Sequence, residues 1–336
     1  MAATTIPDAP TARSRVTQTG WRRRQHVILY AWALMVAMFI IVSLFKPGFR
    51  SNANIRSIID QSTILGIAGL GQTLVIICRG IDLSIPSMMG FAGVLVANRG
   101  PSTSAVLQSL YVIVPAAIAL GLVNGLSIAF LRAPAIIVTL ATNTLLLGIL
   151  LVTTGGSTVE TSGQPARLFV TLSTGHLGPV PVSGLVWIGF VIAAVVLLAA
   201  TPLGRYVYAV GNNPVAARLS GVPVIRTVVW TYVISACCAA IAGMLLAGYL
   251  NQTFPDMGSG YLFTSIAIVL IGGASILGGT GNYLGTVAGA LTLSILNGAL
   301  TLLNIGPAYL NILYGVLIFV AVGTGTIFAR RGKRGD

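Results

Sequence analysis

Long apolar runs alternate with short polar segments over most of the 336-residue chain. The first run, Val27 to Phe45, has 19 residues, which matches the ~20 residues that an α-helix needs to cross a bilayer. This pattern predicts an all-α polytopic membrane protein with about ten transmembrane helices. Further predicted spans lie near 55–78, 84–98, 106–130, 135–154, 183–201, 227–250, 262–278, 283–303 and 308–328.

Composition supports this interpretation. The chain is 55% hydrophobic and only 7% charged, whereas soluble domains are about one-quarter charged. Lipid-facing surface needs no charged side chains, so such a composition is typical of an integral membrane protein. We predict a disordered basic tail at 1–26, a transmembrane domain at 27–330 and a short basic tail at 331–336.

The net charge of +13 predicts an orientation. If the N-terminus is cytoplasmic, 14 of the 19 Lys and Arg residues lie on the cytoplasmic side of the ten predicted spans and 5 on the other side. This bias predicts that both termini are in the cytoplasm, as is segment 202–226, and that loop 155–182 is external. The charge thus has a topological explanation, and we predict no nucleic-acid partner. The stretch 168–172 of the external loop is β-prone.

The longest polar interruption with strong helix signals is Gly204–Gly221. Asn213 is a favourable N-cap, Pro214 suits the first helical position, and Gly221 suits the left-handed stop, so a helix of about two turns is predicted. The small residues Ala216 and Ala217 predict a face that a cytoplasmic partner approaches closely. A plain connecting loop packed on its own membrane domain is the alternative.

Two polar interruptions fall at membrane depth, at 78–86 and at the glycine-rich stretch 271–282. Non-helical backbone is tolerated there only when it is buried in protein or lines a wet cavity, so both are candidates for a translocation region. For Asp82, a helix cap or a partner of Arg79 is the alternative to a functional role. The two breaks fit an inverted repeat of helices 2–5 and 7–10.

Uncharged polar side chains recur at helical spacing within the predicted spans, whereas acidic ones are scarce. Proton-coupled carriers generally need titratable relays, so the scarcity of acids indicates an external energy source and a neutral hydroxylated solute. Hydrogen bonds between helices explain these polar positions equally well. The predicted pathway residues are Gln72, Asp82, Ser84, Asn124, Thr139, Asn143, Ser265 and Asn297.

Glycine pairs and triplets at four-residue spacing predict close helix packing, at Gly121 with Gly125 and at Gly281, Gly285 and Gly289. The three cysteines are odd in number and lie in apolar context, so no disulfide framework is predicted. No phosphate-binding loop, zinc-protease motif or nucleophile elbow occurs in the sequence, and we predict neither a cofactor nor a metal.

Three motifs in order, within 69–84, 209–221 and 271–286, resemble the ribose-type permease subunits of bacterial ATP-binding cassette (ABC) sugar importers. The resemblance extends over about residues 30–328 and implies a bacterial inner-membrane location. It also implies a homodimer of permease subunits, a separate ABC ATPase subunit in the cytoplasm and a periplasmic sugar-binding protein. By this resemblance, 205–221 is the segment that couples to the ATPase. Its predicted coupling residues are Arg205, Gly211, Asn213, Pro214, Ala216, Ala217, Arg218 and Gly221.

Departures from the family pattern leave the solute open. Leu262 and Thr264 stand where many members have an acidic pair, and Arg79 stands in place of a glycine. We therefore expect an importer permease for a neutral monosaccharide or polyol. The alternatives are a stand-alone facilitator for small neutral solutes and a membrane enzyme acting on lipids. The enzyme is disfavoured because both histidines, His26 and His176, lie outside the predicted spans.

Overall fold

The computed structural model describes residues 18–100, 102–155, 164–306, 308–309, 311–316 and 319. These residues are mostly helical, with one short antiparallel strand pair in which His176 lies opposite Pro181. In chain order the elements are α1 (Gln18–Phe45), a 3-10 turn (Pro47–Arg50), α2 (Asn52–Ile77), α3 (Ile85–Asn98), α4 (Thr103–Ala129), α5 (Ala135–Thr153), α6 (Arg167–Thr174), β1 (His176–Leu177), β2 (Val180–Pro181), α7 (Val182–Ala200), α8 (Pro202–Asn212), α9 (Pro214–Leu219), α10 (Val224–Leu250), α11 (Tyr261–Ile271) and α12 (Tyr283–Leu302).

The prediction of an all-α polytopic membrane protein is confirmed. Within the described part of the chain, six helices are long and apolar enough to cross a membrane on their own: α1, α4, α5, α7, α10 and α12. The predicted spans 55–78 and 84–98 correspond to α2 and α3. The predicted span 262–278 is too long, because α11 ends at Ile271 and 272–278 are not helical. The tenth, 308–328, is described only in part, and 308–309 and 311–316 are helical.

The helices form a buried centre and a lipid-facing periphery. In α10 and α12, 72% and 67% of the residues in the most apolar stretch are buried, compared with 6% in α1 and 11% in α5. In α2, every residue from Ser62 to Ile77 is buried. Because α10 packs against α2, α3, α4 and α6, it is the central helix of the bundle.

Two local predictions need correction. The stretch 168–172, predicted to be β-prone, belongs to α6, because Phe169 and Ser173 pack that helix against Gly248 of α10. The tail predicted at 1–26 overlaps α1, which begins at Gln18; residues 1–17 and 331–336 lie outside the described residues. Residues 156–163 of the predicted external loop also lie outside them.

Both predicted breaks are confirmed, between α2 and α3 and between α11 and α12. A third break, at 251–260, was missed. After α10 ends, Asn251 adopts a left-handed conformation with φ 52°, and the chain returns alongside α3, where a Cβ atom at Gly258 would overlap the Pro86 carbonyl. Asp256 therefore lies on a segment packed against α3.

The third break changes how the predicted inverted repeat is aligned. Helices α3 and α11 have 14 and 11 residues, or about 21 and 17 Å, too short to cross a hydrocarbon core of about 30 Å alone. Each follows a long helix and a break, α2 then 78–84 and α10 then 251–260. In chain order, the break at 78–84 thus corresponds to the break at 251–260 and not to the one at 271–282. The inverted repeat itself stays a prediction.

Glycine at helix crossings allows the close packing that its spacing predicted. A Cβ atom at Gly121 would overlap the Val233 backbone of α10, and one at Gly125 would lie 2.6 Å from Val229 Cα. Gly285 and Gly289 likewise contact the carbonyl oxygens of Gly272 and Ile268. Gly281 lies before α12, in the preceding connection.

We expect Gly121→Ala to destabilise the protein by about 1–3 kcal/mol, because the added methyl group would force α4 and α10 apart. Gly148→Ala is the matched control, since a Cβ at that position in α5 would have no described atom within 4 Å beyond its chain neighbours and its own helix backbone. The check is thermal unfolding of both variants in detergent. Equal unfolding midpoints would contradict the packing assigned to Gly121.

Candidate translocation pathway and coupling segment

The segment between α7 and α10 folds as two helices that meet at Asn213. The Asn213 side-chain oxygen accepts hydrogen bonds from the Val215 and Ala216 amides at 3.0 and 3.1 Å. Pro214 is the first residue of α9, and Gly221 follows the helix with φ +80°. The short helix and its three predicted end signals are confirmed.

The exposed face of α9 differs from the predicted one. Ala217 is 5% exposed and packs against Val207 and Val210 of α8, whereas Val215 and Leu219 are 68% and 85% exposed. Residues four apart share a helix face, and Ala217 lies on the opposite face from both. The prediction of an exposed small face is therefore wrong for Ala217. The exposed face of α9 instead presents the apolar side chains of Val215 and Leu219, and Ala216 is exposed beside them.

The end of α8 contacts both predicted breaks. A Cβ atom at Gly211 would overlap the Ile77 carbonyl oxygen and lie 2.6 Å from the Gly279 amide nitrogen. The Gly279 amide itself donates to the Ile77 carbonyl at 2.8 Å. We call this meeting of 77–79, 211–212 and 277–281 the three-segment junction.

Further hydrogen bonds stabilise the three-segment junction. Arg79 Nε donates to the Leu277 carbonyl at 2.9 Å, and the Tyr208 hydroxyl donates to the Gly281 carbonyl at 2.8 Å. The interpretation of Arg79 as a partner of Asp82 is therefore wrong. At Gly211 and Gly279 the main chains touch directly, because neither residue has a side chain.

Asp82 organises the break between α2 and α3. One carboxylate oxygen accepts hydrogen bonds from the Ser84 amide at 2.9 Å and the Ser84 hydroxyl at 2.5 Å, and the other accepts from Ser235 of α10 at 2.7 Å. Ser84, not Asp82, occupies the N-cap position of α3. Asp82 is 1% exposed, so its charge depends on these donors for stabilisation.

The hydrogen-bond network continues from Ser84 to α4 and α5. Asn124 Nδ2 donates to the Ser84 hydroxyl at 2.9 Å, and Thr142 donates to the Asn124 side-chain oxygen at 2.8 Å. Thr139 donates to the Ile81 carbonyl at 3.3 Å. Four predicted pathway residues, Asp82, Ser84, Asn124 and Thr139, thus meet in one buried network that holds the break to its neighbours.

Two other predicted pathway residues line cavities. Asn143 accepts a hydrogen bond from the Ser87 amide at 3.1 Å and lines a cavity of about 70 Å³ together with Asp256 and Ser259. Asn297 lines a larger cavity of about 230 Å³ between α2, α11 and α12. The sequence could not place Asp256 there, because the return of 251–260 along α3 leaves no periodic signal.

The remaining predicted pathway residues are buried. Ser265 is 0% exposed and donates to the Leu262 carbonyl at 3.3 Å. Gln72 is also 0% exposed, and neither of its amide atoms has a hydrogen-bond partner among the described residues. Gln72 shares a face of α2 with Gln61 and Leu65, which line the larger cavity.

A family profile described as "Branched-chain amino acid transport system / permease component" matches residues 54–322. The chain belongs to this permease family. Over 291 residues it is 36% identical to the ribose import permease protein RbsC of Haemophilus influenzae and 38% identical to that of Escherichia coli K12, covering 86% of this chain and 90% of each relative. It is 34% identical over 296 residues to the autoinducer 2 import system permease protein LsrC of Klebsiella pneumoniae, covering 86% of this chain and 85% of the relative. No solved structure matches significantly.

Membership of this family confirms the resemblance to ribose-type permeases that the three motifs indicated. Family membership also rejects the alternative of a membrane enzyme acting on lipids, because permease components are transport subunits rather than enzymes. The buried network and the cavities are thus the parts of a transport protein, in which polar groups at membrane depth mark pathways or stabilise broken helices.

We expect Asn124→Ala to destabilise the protein by about 1–3 kcal/mol, because it removes the two side-chain hydrogen bonds that connect Ser84 to Thr142. Ser127→Ala, one turn along α4, should change stability by less than about 0.5 kcal/mol. Thermal unfolding of the detergent-solubilised proteins measures the difference. If the two variants unfold alike, the network does not stabilise the break.

Proposed function

We propose that this chain is the permease subunit of an ATP-driven importer for a neutral monosaccharide or polyol. The observation that carries the proposal is the direct contact of the α8–α9 segment with both membrane breaks. An apolar pair at an exposed helix surface suits docking into a groove of another protein. The three-segment junction connects that docking surface to the broken helices, as an energy-coupled transporter requires.

The neutral solute class is supported by the chemistry of the interior. Among the described residues, the cavity lined by Asn297 contains amide and hydroxyl groups and no charged side chain. Two of the relatives named above are ribose import permeases, and ribose is a neutral monosaccharide. A periplasmic binding protein would deliver the solute, and the permease would carry it across.

We further propose that two copies of the chain form the complete pathway in the bacterial inner membrane. Both termini and the α8–α9 segment would then be cytoplasmic, as the distribution of Lys and Arg favours. Each α9 helix would meet one ABC ATPase subunit. The exposed positions Arg205, Ala216 and Arg218 lie on the same segment and would lie at or near that contact.

A stand-alone facilitator is the second candidate. It would use the same cavities, but it would have no need for an exposed apolar pair on a cytoplasmic helix. The Leu219 side chain is 85% exposed, so a substitution there tests the contact with an ATPase without disturbing the packing of the bundle.

We expect Leu219→Glu to reduce both uptake and solute-stimulated ATP hydrolysis about tenfold or more, because docking would bury an unpaired carboxylate. Leu219→Met is the matched control and should retain both activities, since it keeps an apolar side chain of similar size. The permease, ATPase and binding protein are reconstituted in proteoliposomes for the assay. Unchanged downhill solute flux through Leu219→Glu, in the absence of any ATPase, would favour the facilitator.

A further inference from the structure

The larger cavity has a volume of about 230 Å³ and lies among α2, α11, α12 and the helical residues 311–316. Its polar lining includes Gln61, Tyr261, Ser294, Asn297, Asn311 and Tyr314. Pockets for drug-sized ligands have volumes of about 300–1,000 Å³. The volume therefore suits a smaller solute.

Hydrogen bonds to neighbouring residues hold two amide side chains of this cavity, Asn297 and Gln61, in place. Asn297 Nδ2 donates to Gln61 Oε1 at 2.7 Å. Gln61 Nε2 in turn donates to the Ser57 hydroxyl at 3.0 Å and the Tyr249 hydroxyl at 3.2 Å. These bonds fix both amides without using the Asn297 side-chain oxygen, to which none of the described residues donates. That acceptor is therefore preorganised for an occupant of the cavity.

Other lining groups also lack a partner within the described part of the protein. Ser294 is 3% exposed, and its hydroxyl makes no hydrogen bond to any described residue. The same holds for the polar side-chain atoms of Tyr261, Asn311 and Tyr314. These groups are open to the cavity, so a polar occupant would find hydrogen-bonding partners among them.

We propose that this cavity is a binding subsite for a neutral polyhydroxylated solute, an inference that rests on the proposed importer function. A sugar hydroxyl both donates and accepts hydrogen bonds, as do the amides and hydroxyls of the lining. The C–H surface of a sugar matches Leu65, Leu293 and the tyrosine rings. A charged solute would lose its hydration and find no countercharge among the described lining residues.

The subsite lies far from the coupling segment. Gln61 precedes the end of α2 at Ile77 by 16 residues, which is about 24 Å along the helix axis. Gly260 and Tyr261 of the first turn of α11 line this cavity, and Ser259 and Leu262 line the smaller one. The start of α11 thus lies between the two cavities, and a shift of this helix would reshape both.

The test uses Asn297→Leu, which removes the amide while keeping the volume of the side chain. Thr301→Val is the matched control on α12, because among the described residues the Thr301 hydroxyl bonds only to the carbonyl oxygen of Asn297 in its own helix. The complete complex, with ATPase and binding protein, is reconstituted in proteoliposomes. Uptake is measured with a panel of radiolabelled neutral monosaccharides and polyols, and the mass of each complex is measured by light scattering.

We expect Asn297→Leu to lower the uptake of the transported solute about tenfold or more, because hydrogen bonds to the solute and to Gln61 are lost. Thr301→Val should transport normally, and both complexes should keep the wild-type mass.

As a direct readout, Ser294→Cys in a chain whose three native cysteines are replaced should react more slowly with N-ethylmaleimide when solute-loaded binding protein is present.

Each failure has a distinct meaning. If the wild-type complex accumulates none of the panel, the proposed function fails and this inference with it. If the wild type accumulates a solute and Asn297→Leu does so equally well, only the subsite is overturned. If the Asn297→Leu complex loses a subunit, the cavity belongs to a contact between subunits, and the subsite is again overturned.

Discussion

The close approach of three backbones at Gly211, Ile77 and Gly279 is the constraint on which the account depends. No side chain separates α8 from the ends of the two broken membrane segments, and a hydrogen bond of 2.8 Å links Gly279 to Ile77. Packed interfaces respond to displacement by shifting as units rather than by deforming continuously. A force applied to the exposed face of α9 would therefore reach α2 and the connection before α12.

The broken helices need compensation for their unpaired polar groups, and the protein supplies it in two ways. At the break before α3, Asp82, Ser84, Asn124 and Ser235 satisfy one another in a fully buried network. In the larger cavity, Ser294 and Asn297 keep hydrogen-bonding capacity unused. The first arrangement fixes a backbone and the second suits a transient occupant, so similar residue types in the spans serve different purposes.

The features that could be predicted from the sequence are those that depend on residues close together in the chain. The caps of α9 and the breaks near Asp82 and Gly279 depend on residues adjacent in the chain, and they were predicted. The burial of Ala217, the return of 251–260 along α3 and the meeting of Gln61 with Asn297 depend on contacts between distant segments. Helical spacing grouped polar residues by face, but only the tertiary packing separates the buried network from the cavity lining.

The most direct test of this account is the number of ATP molecules hydrolysed per solute imported by Gly211→Ala, compared with Gly189→Ala in α7. A methyl group at Gly211 would overlap the Ile77 carbonyl, whereas a Cβ at Gly189 would have no described atom within 4 Å beyond its chain neighbours and its own helix backbone. We expect Gly211→Ala to hydrolyse about tenfold or more ATP per solute imported than the wild type, since the added methyl forces the contacting backbones apart. Gly189→Ala should keep the wild-type ratio of ATP to solute. Equal ratios in the two variants would contradict coupling through the three-segment junction.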